Sequence, residues 1–174
     1  MICELITAEH SGEARLGLGQ HGGIPFIPLS NEPVVKFASV LGISQELVQG
    51  ACSPSMEAPY LHLDMHCWED MKKQLPPRGP GSIAPIAVAA TLLALWMRTA
   101  GTLGSATQAH AQKVLATIEL RDPNASRGLS STPWLQTRPG GVIVVNPAQM
   151  SKAITVARSF CIKQWKIEAQ ISVA

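Results

Sequence analysis

The densest group of reactive side chains in the 174-residue chain is His62, His66, Cys67, Glu69 and Asp70. Tyr60, Leu61, Asp64, Met65, Trp68, Met71 and Leu75 recur around them at helical spacing, which predicts an amphipathic helix over Pro59–Leu75. On such a helix residues 62, 66 and 69 or 70 share a face, because positions i, i+4 and i+7 or i+8 stack. Two imidazoles one turn apart can chelate a divalent cation, so His62 and His66 are candidate metal ligands. Leu63 follows His62, so the general-base Glu of an HExxH motif is missing. The plainer reading is a solvated polar face opposite Leu61, Met65 and Trp68. The same spacing puts Cys67 in mid-helix.

A second constellation is Cys67-Trp68, His110-Ala111 and Asp122-Pro123-Asn124, in that chain order. A thiol nucleophile needs a base to take its proton and a third group to orient that base. The layout resembles that of papain-like effector and leader proteases. The resemblance implies a Cys that opens a helix, a His that begins a strand and an Asp at the end of that strand. It implies a thiol hydrolase in which Cys67 is nucleophile, His110 base and Asp122 orienter. A buried, inert thiol is the structural alternative.

Two segments have features of nucleic-acid binding. Within 34–51, Ala38, Gly42, Ile43 and Val48 resemble the small residue, turn glycine and core aliphatics of a helix-turn-helix. Its second helix offers Gln45 and Gln49 beside Glu46, with no Arg or Lys for phosphate. A tight helical turn used for packing fits these residues as well. The last predicted helix, Ala148–Gln170, carries Lys152, Arg158, Lys163 and Lys166 against one acidic residue, Glu168. Such a strip could meet nucleic-acid phosphate or an acidic partner, or simply be solvated. There is no GxxxxGK[ST] loop, and the glycines of Gly17–Gly22 lead into Pro25 and Pro28 rather than a helix, so no nucleotide cradle and no cofactor is indicated.

The elements that must position these groups centre on one apolar segment. Residues 79–112 carry a single formal charge, Arg98, and Ile83–Met97 is almost entirely Ala, Leu, Ile, Val, Met or Trp. A helix apolar on every side must be covered on every side. A bilayer span needs about 17–25 apolar residues, so no transmembrane segment is expected. The helix is predicted at about 82–99, capped by Ser82, and buried within the domain or between subunits. Pro76–Gly81 breaks the chain before it and is the place for a hinge. Ile2–Thr7 and Ala14–Leu18 read as short strands, Val34–Leu41 and 44–49 as short helices, and Gly141–Val145 as a β run. Residues 105–121 are open between helix and strand, and 122–141 are rich in turns. The fold class expected is α+β, mainly helical, with several helices around the apolar one and a small β-sheet, in a single domain over 1–174.

Charged residues are 15% of the chain and apolar residues 46%. A typical soluble domain is about 25% charged. Few solvated side chains imply a subunit that buries surface in an assembly, or a domain with an adhesive patch. A net charge of +2 does not by itself imply nucleic acid or membrane. Cys3, Cys52, Cys67 and Cys161 form no CxxC pair, and the N-terminus lacks a basic n-region. Free thiols in a reducing, intracellular compartment are expected, without a signal peptide. The expected function is that of a structural, self-associating subunit of a homo-oligomer or particle. A thiol hydrolase through Cys67, His110 and Asp122 is the first alternative. A nucleic-acid binder through the helix-turn-helix or the Lys152–Lys166 strip is the second.

Overall fold

The computed structural model describes residues 32–101 and 103–165. The expected strands Ile2–Thr7 and Ala14–Leu18, and Lys166, lie outside the described residues. The described chain runs α1 (Glu32–Leu41), α2 (Gln45–Cys52), α3 (Met65–Gln74), α4 (Pro85–Ala100), α5 (Gln108–Ala116), α6 (Ala125–Ser130), β1 (Leu135–Arg138), β2 (Val142–Val145) and α7 (Met150–Ile162). It is the mainly helical α+β arrangement expected, with a two-stranded antiparallel sheet as its β part.

The apolar helix is α4, and every residue from Ile86 to Met97 is buried. The helices α1, α5, α6 and α7 and the strand β2 pack around it. Of the two coverings open to this helix, the chain supplies its own. The two polar functions in this environment are satisfied. Thr91 Oγ1 donates to the Ala87 carbonyl at 2.6 Å and accepts the Trp134 indole N–H at 2.9 Å. Trp96 meets Phe37 edge-on, with ring centroids 5.5 Å apart, and donates its N–H to the Ser55 carbonyl.

The helix starts later than the sequence suggests. Ser82 caps nothing: its hydroxyl donates to the Gly79 carbonyl within the exposed Pro76–Gly81 turn. Ala84 occupies the N-cap position and Pro85 the first turn, and Ala84 has no side chain to accept a backbone N–H. The missing acceptor comes from Asp122, whose Oδ2 takes the Ile86 N–H at 3.3 Å. A carboxylate beside a helix N-terminus also suits the helix dipole.

Helices α1 and α2 form the tight turn that the 34–51 pattern suggested. Gly42 adopts φ +64°, and the Gly42 and Ile43 N–H groups close on the Ser39 and Ala38 carbonyls. Ser44 caps α2 by accepting the Leu47 N–H. Both helices bury part of their apolar surface, α1 against α4 and α2 against α7, and leave Val35, Val40 and Leu47 exposed. Residues 105–121, open between helix and strand, are mostly helical. Ala111, Val114 and Leu115 face the core from α5, and the apparent alternation of 114–120 spans the helix end at Ala116 and the turn after it. The sheet registers Leu135 on Val145 and Arg138 on Val142. It is tied to the chain entering α5 by the Ile143 N–H, which donates to the Ala106 carbonyl at 2.7 Å.

Candidate functional site

Cys67 is not in mid-helix. The chain from Leu61 to Asp64 is extended, held to the end of α2 by His62 N–H to Cys52 carbonyl and Asp64 N–H to Ala51 carbonyl bonds. Asp64 is the N-cap of α3, so Cys67 lies in its first turn with its N–H donating to Asp64 Oδ1 at 2.9 Å. A thiol near a helix N-terminus is ordinarily acidified. Here the opposite holds: burial, then the neighbouring Asp64 carboxylate to which the thiol donates, push Cys67 up to about 12. The same contact acts on the carboxylate. Partial burial raises Asp64, but the Cys67 N–H and thiol, with the charges of His66 and Lys163, more than offset this and hold it below its ordinary value. Cys67 is 1% exposed. Its environment keeps the thiol protonated and covered, the reverse of what a nucleophile requires.

Cys67 also has thiol company. Cys52 from α2 and Cys161 from α7 are buried in the same core, and α2 and α3 both pack on α7. A hydrogen bond with Cys161, together with burial, raises Cys52 well above the ordinary thiol value. Cys52 and Cys67 come from the consecutive helices α2 and α3 and Cys161 from the distant α7, and their spacings match no thiol motif.

His62 and His66 do not share a helical face. His62 is in the extended segment before the cap, and only His66 is in α3; both are exposed. Among the described residues no group of three or more His, Cys, Asp or Glu side chains is arranged to hold a metal ion. Glu69 and Asp70 instead pair with Lys72 and Lys73 along the exposed face of α3.

His110 does not begin a strand. It sits in the first turn of α5, where its N–H donates to the Thr107 cap, and its ring meets Tyr60 edge-on at 5.5 Å. Among the described residues its buried Nδ1 has no hydrogen-bond partner. Asp122 does not orient it. Besides the Ile86 N–H, Asp122 accepts the Asn124 N–H at 2.9 Å, and its backbone is clamped by the Gln112 side chain at 2.6 and 3.2 Å. No hydrogen bond joins Cys67, His110 and Asp122. The arrangement implied by the protease resemblance is therefore not assembled.

The basic strip is divided as well. Helix α7 ends at Ile162, and Lys163 closes it in the left-handed conformation at φ +58°. Lys163 thus stands past the helix end, its carbonyl taken by the Gln74 side chain, which also accepts the Trp165 N–H. Arg158 is committed to structure. Its Nε donates at 2.6 Å to the Leu41 carbonyl at the end of α1, and a Cβ on Gly42 would stand 3.0 Å from its Nη2. Among the described residues of the strip, Lys152 is on α7 with no ion pair, and Arg158 is the one whose side chain is bonded to another helix.

Two concavities on the surface are marked by no sequence motif. One is a groove of about 520 Å³ between α1, the end of α4 and the start of α7. Val40, Leu95, Met150 and Ile154 make its apolar lining, with Lys36 and Arg98 beside them. The other is a cleft of about 380 Å³ between α5 and α6, lined by Gln108, Gln112, Asn124 and Ser126 with Arg121 and Arg127. The groove draws on three segments more than fifty residues apart, and neither concavity has a contiguous motif.

These features define a mainly helical α+β protein with a buried thiol cluster, an apolar groove and a polar cleft. No protein-family model, curated protein or solved structure matches the chain.

Proposed function

We propose that the protein is a self-associating structural subunit, and that copies meet through the α1–α2 face rather than through α4. The observation that carries this reading is the placement of exposed apolar side chains. Among the described residues, three of the five large hydrophobic residues that stay exposed, Val35, Val40 and Leu47, lie on α1 and α2, at 42–50% exposure. Val40 borders the groove, so apolar surface continues from α1 over Met150 and Ile154 of α7. Contiguous apolar surface of this kind is what association covers. The chain's 15% charged content supports the same reading, since few charged side chains oppose contact between copies.

The test is light scattering on the purified chain over a range of concentration, with the wild type beside Val40→Asp and Val35→Asp. A defined multimer of the wild type, dissociated by a charge at Val40, supports the proposal. A wild type that remains at 18.5 kDa at the highest concentration overturns it. So does a multimer indifferent to both substitutions. The thiol-hydrolase reading gains no support from the environment of Cys67. The nucleic-acid reading keeps Lys152 and Lys163 but loses Arg158 to the α1 cap.

A further inference from the structure

We propose that the α5–α6 cleft is a binding site for a small phosphate ester, with Arg121 and Arg127 as its anion ligands. Three observations converge on it. The first is charge. Both arginines line the same cavity, and among the described residues neither guanidinium has an ion pair or side-chain hydrogen bond. The one carboxylate in the cleft, Asp122, is 9% exposed and already accepts the Ile86 and Asn124 N–H groups. Its charge is directed to the backbone of α4 and of its own turn. Two unpaired guanidiniums around one opening are suited to a phosphate, whose oxygens match the planar fork of donors.

The second observation is the chemistry of the remaining lining. Ser126 donates its hydroxyl to Gln108 Oε1 at 3.1 Å, which leaves the Gln108 amide N–H groups as donors. Asn124 adds a second side-chain amide. Uncharged amides beside an anion site bind hydroxyl groups, so the ligand carries a polar, hydroxylated body on its phosphate. A volume of about 380 Å³ is near the lower end for ligand pockets, the size of a sugar phosphate rather than a dinucleotide.

The third is rigidity. Gln112 grips both the N–H and the carbonyl of Asp122, and Asp122 in turn is fixed to Ile86 at the start of the buried helix. Gly128 lies directly against Ile86 and Ala84, where a Cβ would come within 2.8 Å and 3.0 Å. The loop that carries Arg121 and the helix that carries Arg127 are thus held against the core from two sides. A site whose backbone does not have to be ordered on binding loses less affinity to that cost.

The test is isothermal titration calorimetry of the full chain with ribose 5-phosphate, inorganic phosphate and ribose. Saturable binding is expected for ribose 5-phosphate, weaker binding for inorganic phosphate and none for ribose. Arg121→Gln and Arg127→Gln should each weaken the ester by on the order of tenfold, since each removes charge-assisted hydrogen bonds. Gln108→Ala should reduce discrimination between the ester and inorganic phosphate. Arg138→Gln, an exposed arginine on β1, is the control and should change nothing. Both cleft arginines are exposed, so circular dichroism should show all variants folded. No saturable binding of any of the three compounds would sink the proposal, as would binding that survives the double arginine variant. Equal affinity for inorganic phosphate and the ester would overturn the ester assignment. Self-association plays no part in these readouts, so this proposal stands or falls apart from the assembly reading.

Discussion

Asp64 and Asp122 show how much of this molecule turns on what one carboxylate is asked to accept. Asp64 takes the backbone N–H and the thiol of Cys67, and so caps α3 while suppressing the ionisation of that thiol. The consequence is measurable. Iodoacetamide at about pH 8 should leave Cys52, Cys67 and Cys161 unmodified in the folded protein and alkylate all three after denaturation, as read by peptide mass mapping. Rapid modification of Cys67 in the native state would contradict its burial. Thr91 is a second polar group whose loss the core would register. Thr91→Val preserves shape but leaves the buried Trp134 N–H without its acceptor. An unsatisfied buried donor costs about 1–3 kcal/mol, to be read from urea unfolding. Thr91→Ser, which keeps the hydroxyl, should restore part of that loss.

Among the elements, Ser44, Asp64 and Thr107 cap α2, α3 and α5 locally, but the start of α4 and the end of α1 are satisfied by distant residues. Nothing within Ser82–Pro85 accepts the first free N–H of α4, and Asp122 does so from 36 positions away along the chain. Asp122→Ala should therefore destabilise the fold by about 1–2 kcal/mol, the usual worth of a lost N-cap, with Asp122→Asn milder because it retains an acceptor oxygen. Chemical denaturation of both variants checks this. Arg158 plays the matching part at the other polarity, donating to the last turn of α1. Arg158→Ala should lower stability by about 1 kcal/mol and leave any nucleic-acid affinity unchanged in a filter-binding assay. The helical spacing of 59–75 predicted a longer helix than α3 because Tyr60 and Leu61 continue the apolar period. Yet Tyr60 has φ +72°, and Pro54 and Leu61 pair as a β-bridge, so those residues serve the core from a loop.

For the whole molecule, the buried thiols connect packing to pH. An acid whose proton is held more tightly in the folded state stabilises the fold below its unfolded pKa and ceases to do so as pH rises through the folded one. For Cys67 that interval runs from 9.0 to about 12, and Cys52 shifts in the same direction. Thermal stability should therefore fall from about pH 9 upward more steeply than in a Cys67→Ala variant, compared by calorimetry at matched ionic strength. An unchanged slope in the variant would remove Cys67 as the cause.

What the sequence determined by itself was the class of the fold and its centre. An uncharged, all-round apolar run has no stable state except a covered helix, and that argument needs only composition and period. The α1–α2 turn was equally legible, since Gly42 and Ser44 are local signals for a stop and a start. The candidate sites were not legible. Cys67, His110 and Asp122 have suitable types in a suitable order, but their chemistry depends on what each touches. Only the tertiary structure decided that Cys67 faces Asp64, that His110 rides on α5 against Tyr60, and that Asp122 caps the buried helix. The same holds for the covering of α4, the thiol cluster, the apolar groove and the arginine cleft. The covering of α4, the thiol cluster and the groove draw on segments far apart along the chain, and the cleft is made within 108–127 by the fold of that stretch. Local spacing carries no information about contacts that packing alone creates.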